Sequence, residues 1–168
     1  MPAQPPVSPR IRIRVSPEDF DVGRELELLT QEAPGVGAVA SFVGRVRDAG
    51  EGVNGVQALT LEHYPGMTEL ALQEIAQSAC QRWQCDGITI IHRVGRLQLG
   101  EQIVLVAVAS RHRGDAFAAC EFIMDFLKTR APLWKQEETP AGKQWVAARA
   151  SDDAAAARWV EGEAAPSR

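Results

Sequence analysis

Three fixed cations flank one helix break in this chain. In the stretch FLKTRAPLWKQEET (126–139), Lys128 and Arg130 come before Pro132, and Lys135 comes after it. Lys128 falls four residues after Met124, so the two share one helical face. A lysine set among apolar neighbours is expected to pay a desolvation cost, which would suit it to act as an acid, a base or a nucleophile. The plainer role is a cation answering the helix dipole, and Arg130 already fills that role. Lys135 lies in an extended segment and can return a second ammonium towards the first.

Other basic groups also stand at predicted element ends. Arg45 and Arg47 in GRVRD close a strand, and Arg111, His112 and Arg113 in SRHRGD precede a long helix. A helix N-terminus offers unpaired N–H groups, and an arginine beside it can grip a phosphate or carboxylate with two parallel hydrogen bonds. Solvated charges at element ends, with His112 as a surface histidine, are the plainer alternative. Familiar catalytic patterns are missing. The chain has no Gly-x-Ser-x-Gly turn, no His-Glu-x-x-His pair and no phosphate-binding loop, and GRVRDAG is no dinucleotide fingerprint. Cations and acid–base groups without a strong nucleophile imply that the reactive atom arrives on a partner or a substrate.

Composition narrows the field. The 168 residues suit one compact domain, and 45% apolar with 24% charged residues is ordinary for a soluble globular protein. A net charge of −4 argues against broad nucleic-acid binding. No apolar run approaches the roughly 18 residues of a membrane span, and the proline-rich opening MPAQPPVSPR is no signal peptide. A cytoplasmic location is expected. The cysteines, Cys80, Cys85 and Cys120, are odd in number, which argues against a disulfide framework. Cys80 and Cys120 read as small core residues.

The elements that must position these groups follow from periodicity. Residues 1–10 read as a disordered lead, 11–150 as a single domain, and 151–168 as a terminal helix and tail. Alternation predicts strands over 11–17, 36–47 and 56–64. GITIIHRVG (87–95) and QIVLVAVAS (102–110) read as two more strands, joined by a Gly-punctuated turn. The second is nearly all apolar, as a strand covered on both faces is. LWKQEE and KQWVAAR read as short strands joined at TPAG. Helical spacing covers 21–31, 67 to about 83, and 114–130. The 114–130 helix is apolar almost all round, which implies burial between layers or at a subunit contact. Ser151 or Asp152 would cap a terminal helix, and 48–55 is a glycine-rich loop. The fold class is α+β, with a mainly antiparallel sheet and packed helices.

LTLEHYPGMTE, IIHRVGRLQLGE, FIMDFLKTRAPLWKQE and GKQWVAARASDD together resemble the MoaE family, the large catalytic subunits of molybdopterin synthase. The likeness runs from about Ile11 to Trp159. It implies an α/β hammerhead-type fold and a homodimer within a heterotetramer. Each copy would take one small MoaD-like sulfur-carrier subunit whose C-terminal Gly-Gly thiocarboxylate enters a pocket. Sulfur would pass twice to cyclic pyranopterin monophosphate, without a metal or resident cofactor. This chain ends in APSR, so the carrier would be a separate chain. The resemblance implies a catalytic role for Lys128 and Lys135. It implies substrate binding by Phe42, Arg47, His112, Arg113, Met124 and Arg149, with Arg149 reaching the neighbouring subunit's pocket. Where the family often has serines after the His-Arg pair, this chain has Gly114 and Asp115. Two other functions compete: a non-catalytic anion-binding or scaffold protein, and an RNA-binding domain using FVGRVRD. The acidic net charge and single tyrosine weigh against the second.

Overall fold

The computed structural model describes residues 8–48, 55–147 and 149–160. Most of the expected 48–55 loop, most of the expected 1–10 lead and the tail beyond 160 lie outside these residues. The strand β1 (Arg10–Ser16) is an edge strand, parallel to β4 (Gly87–Arg93). β6 (Gln102–Ser110) lies antiparallel between β4 and β2 (Ala38–Arg45). The first sheet thus runs β1-β4-β6-β2.

The apolar sequences of β4 and β6 follow from helices on both faces. Ile88, Ile90, Val104, Val106 and Val108 join the core under α2 (Met67–Arg82) and α3 (Arg113–Arg130). Ile91, Leu105, Ala107 and Ala109 join Leu29 of α1 (Val22–Thr30) in a separate cluster. Asp21 caps α1 by accepting the Arg24 amide N–H at 3.0 Å. Glu25, buried on the same helix, pairs with Arg12 of β1.

A second sheet, β5-β3-β7-β8, departs from the expected single sheet. It comprises β5 (Gly95–Gln98), β3 (Ala58–His63), β7 (Leu133–Thr139) and β8 (Gly142–Val146), all antiparallel. β5 occupies what reads in the sequence as a turn. Gly95 stands at φ 85° and Gly100 at φ 83°, so the chain leaves β4, adds a short strand to the other sheet and returns into β6. Glycine makes both corners because side chains rarely adopt that backbone region.

α3 packs against β6, β2, α2 and a terminal helix α4 (Ala150–Ala157), which explains its apolar circumference. It begins at Arg113 with His112 as N-cap, one residue ahead of expectation. Its end is set by Pro132. Ala131, held extended at ψ 131°, is the residue that a following proline excludes from helical geometry. α4 starts after Arg149, ahead of the expected Ser151 or Asp152 cap. All three cysteines are free, with Cys85 and Cys120 buried and Cys80 half-buried. Among the described residues, no helix is long and apolar enough to cross a membrane.

The β2 entrance tolerates no side chain. A Cβ on Gly37 would stand 2.5 Å from the Arg111 carbonyl oxygen, which is backbone and cannot rotate away. Gly37→Ala should lower stability by about 1–3 kcal/mol. Urea unfolding would show a lower midpoint with an unchanged slope, and an unaltered midpoint would refute this close approach.

Candidate active site

A cavity of about 670 Å³ opens between the two sheets at the C-terminal end of α3. Leu133, Lys135 and Glu137 alternate along β7 and share one face, which lines the cavity. Lys135 stands opposite Leu61 on β3 and opposite Val146 on β8, and Glu137 opposite Leu59. All of these residues line the same wall. Met124, Leu127 and Lys128 descend from α3, while Phe42 and Val104 come from the first sheet. Pro132 is what joins these parts. It ends the helix just after Lys128 and sends the chain into β7, so Lys135 returns to the same space.

Arg47 reaches the cavity because the chain after β2 is clamped. The Arg45 guanidinium donates to the Gly100 carbonyl from Nε at 2.9 Å and Nη2 at 2.6 Å. Val46 is buried, and its backbone exchanges hydrogen bonds with Glu101 and Gly100 at 2.9 and 2.8 Å. Arg149 is held from the opposite side by α4. Trp159 lies edge-on to Trp83 and Phe122, and its indole N–H donates to Asp125 at 2.7 Å. Arg158 pairs with Asp125 and Glu121 at 2.9 and 2.6 Å. These contacts lock the helix whose first residues face the cavity.

Among the described residues, Arg45, Arg47, Lys128, Lys135 and Arg149 therefore converge with two carboxylates, Glu137 and Asp152. The carboxylates are paired: Lys128 Nζ lies 3.9 Å from Asp152, and Lys135 Nζ 3.8 Å from Glu137. The Lys128 side chain is 53% exposed, so this chain alone does not supply the desolvation argued from its apolar helix. Such a site can attract and orient anionic groups against an apolar wall. Among the described residues, no cluster of three or more His, Cys, Asp or Glu could hold a metal ion.

Of the residues singled out from the sequence, Phe42, Arg47, Met124, Lys128, Lys135 and Arg149 line this one cavity. Arg149 does so within its own chain. His112 and Arg113 do not line it. They begin α3, whereas Lys128 ends it, and fifteen helical residues span roughly 22 Å. A smaller groove of about 470 Å³ adjoins the cavity, sharing Phe42, Met124, Lys128 and Asp152 and adding Phe117 of α3.

His92, Asp152 and Glu137 are lining residues that motif reading passed over. His92 left a signal, an ionisable residue directly after the uncharged GITII run. It is 5% exposed, and Nδ1 lies 2.8 Å from the Arg93 carbonyl oxygen. A carbonyl only accepts, so Nδ1 carries the proton and donates. Burial pushes the imidazole pKa down to about 4, opposed by that hydrogen bond and aided by nearby His63.

The model of a protein family described as "MoaE protein" matches residues 15–130. The molybdopterin synthase catalytic subunit of Ralstonia nicotianae is 58% identical over 147 residues, covering 88% of this chain and 83% of that protein. The crystallised molybdopterin biosynthesis MoaE protein from Burkholderia ambifaria superposes with a TM-score of 0.76 at 54% identity, over 89% of this chain and 98% of that one. Molybdopterin synthase from Staphylococcus aureus gives a TM-score of 0.74 at 33% identity, over 80% and 96%.

His92 makes folding sensitive to acid. Between about pH 6.5 and 4 the unfolded chain binds a proton that the folded chain refuses, so stability falls as pH drops through that window. The full loss from this residue is about 3 kcal/mol. Urea unfolding at stepped pH should show His92→Leu losing this share of the slope. A variant whose pH dependence matches the parent would refute it.

Proposed function

The chain belongs to the MoaE family, and from that premise we propose that it is the catalytic subunit of a molybdopterin synthase. A separate small ubiquitin-like carrier inserts a C-terminal Gly-Gly thiocarboxylate into the cavity. The subunit acts as a sulfurtransferase, passing two sulfurs in turn to cyclic pyranopterin monophosphate to form the dithiolene of molybdopterin. A cytoplasmic location goes with this reading.

One observation carries it: among the described residues, five cations against two carboxylates line one apolar-walled cavity, in a chain of net charge −4. The carrier supplies the sulfur, which accounts for the lack of a strong nucleophile motif. Lys128 and Lys135 receive the thiocarboxylate, and the incoming anion takes the place of Asp152 and Glu137 as their counter-charge. Once the tail fills the cavity, water leaves and each remaining charge acts more strongly. Lys128 then stabilises the negative charge that develops as the acyl group is released. Arg47 and Arg149 hold the substrate phosphate, while Phe42 and Met124 pack against the substrate's apolar surface.

His112 and Arg113 enter through a second copy of the chain. The length of α3 keeps them from their own cavity, and exposed Phe117 and Phe42 along the adjoining groove offer apolar surface for a partner copy. In that homodimer, each cavity receives the α3 N-terminus of the neighbour, completing its anion site. Two carriers bound to the pair make a heterotetramer.

Purified chain mixed with thiocarboxylated carrier and the pyranopterin precursor should form molybdopterin, and no product would end the proposal. Lys128→Ala should cut the rate by about 100-fold or more while keeping the fold and carrier binding. Near-normal turnover would reject its catalytic role. Arg47→Ala should raise KM for the precursor more than it lowers kcat.

Mixing Lys128→Ala chains with Arg113→Ala chains tests the second copy. At precursor concentrations too low for either variant, re-formed hybrids should regain activity, because one of their two sites carries neither lesion. Hybrids that stay as inactive as their parents would mean that each site draws both residues from a single chain, and would reject the shared site.

A further inference from the structure

We infer that His92 is a specificity residue, whose Nε2 accepts a hydrogen bond from an N–H of the substrate's heterocycle and so fixes the ring's orientation in the cavity. The inference rests on the proposed pterin phosphate substrate and adds a contact which that proposal does not assign.

Three features of this chain converge on it. His92 lines the cavity although it is almost fully buried in β4. Its neighbours along that strand, Ile88, Ile90 and Ile91, are fully buried and apolar, so packing alone would be met by another aliphatic residue. The ring's orientation is set by the Nδ1 hydrogen bond to the Arg93 carbonyl. Arg93 is in turn anchored, donating to the carbonyls of Pro17 at 3.1 Å and Gln102 at 3.0 Å. With the Nδ1 proton committed, the remaining polar atom is Nε2, a bare acceptor. No hydrogen bond to it is found among the described residues.

The rest of the cavity makes that acceptor distinctive. Its charged lining consists of donors (Arg45, Arg47, Lys128, Lys135 and Arg149) and two carboxylates already paired with lysines. These groups recognise anions or carry charge themselves, and among the described lining residues His92 supplies the one uncharged side-chain acceptor. A pterin ring carries several N–H groups that lose water on entering the cavity. A donor buried without a partner is costly, so a neutral acceptor at a fixed place discriminates strongly between ring orientations. The cations would then hold the phosphate and the carrier tail, and His92 would read the heterocycle.

The test uses the full chain, with ¹⁵N-labelled histidine, and its thiocarboxylated carrier. The only histidines are His63, His92 and His112, and the spectra of His63→Gln and His112→Gln assign the His92 signal by exclusion. Adding the pyranopterin precursor should move the His92 Nε2 resonance towards that of a hydrogen-bonded acceptor, whereas inorganic phosphate should leave it in place. In turnover, His92→Leu should raise KM for the precursor on the order of tenfold, with kcat and carrier affinity nearly unchanged. His92→Gln, which keeps an acceptor, should recover part of that loss. An Nε2 signal that ignores bound precursor would overturn the inference even if the variants unfold, and so would a His92→Leu KM equal to the parent's. If the parent protein neither binds nor converts the precursor, the functional proposal fails and this inference fails with it.

Discussion

The functional geometry depends on one steric constraint, the proline that ends α3. A helix carrying eight buried residues would otherwise continue past Arg130, and Lys135 would lie further along the same rod. Pro132 forces Ala131 into extended geometry, and the chain turns into β7. Two ammonium groups seven residues apart thereby meet in one cavity. The remaining lining groups come from chain segments that fold against this corner. β2 supplies Phe42, β3 supplies Leu61, and the approach to α4 supplies Arg149.

Gathering like charges costs energy, and the structure offsets that cost locally. Asp152 and Glu137 stand near Lys128 and Lys135, close enough for ion pairing but at 3.8 to 3.9 Å rather than in tight hydrogen bonds. Both lysines are partly exposed, so solvent screens the pairs. An arriving anion can therefore replace a carboxylate without breaking a strong buried bond. The firm ion pairs lie outside the cavity, where Arg158 binds Asp125 and Glu121. Rigidity in the supports and looseness at the charged centre suit the proposed entry of a carrier tail.

Much of the architecture was legible in residue patterns. The nearly all-apolar QIVLVAVAS predicted a strand covered on both faces, and α1 on one side with α2 and α3 on the other are the covers. Alternation over 11–17 predicted a strand, and β1 forms there, at the edge of the first sheet. The second sheet was not legible. Its strands are short, and β5 spans four residues between two glycines, so local pattern reads as a turn. Pairing with β3, far away in sequence, makes it a strand.

Residue types and spacing were enough to show which groups were available: an acidic chain, basic residues at element ends, and a proline break flanked by lysines. Local chemistry suffices for that, since charge, helical period and proline geometry act over a few residues. Which cations share a cavity emerged with the packed fold. It brought Arg47, Lys128, Lys135 and Arg149 together and left His112 and Arg113 at the far end of α3. It also left Lys128 half-exposed, where its helix had suggested desolvation, and made His92 a buried neutral group. Burial and distance between segments are sums over the whole packed chain, so no window of residues contains them.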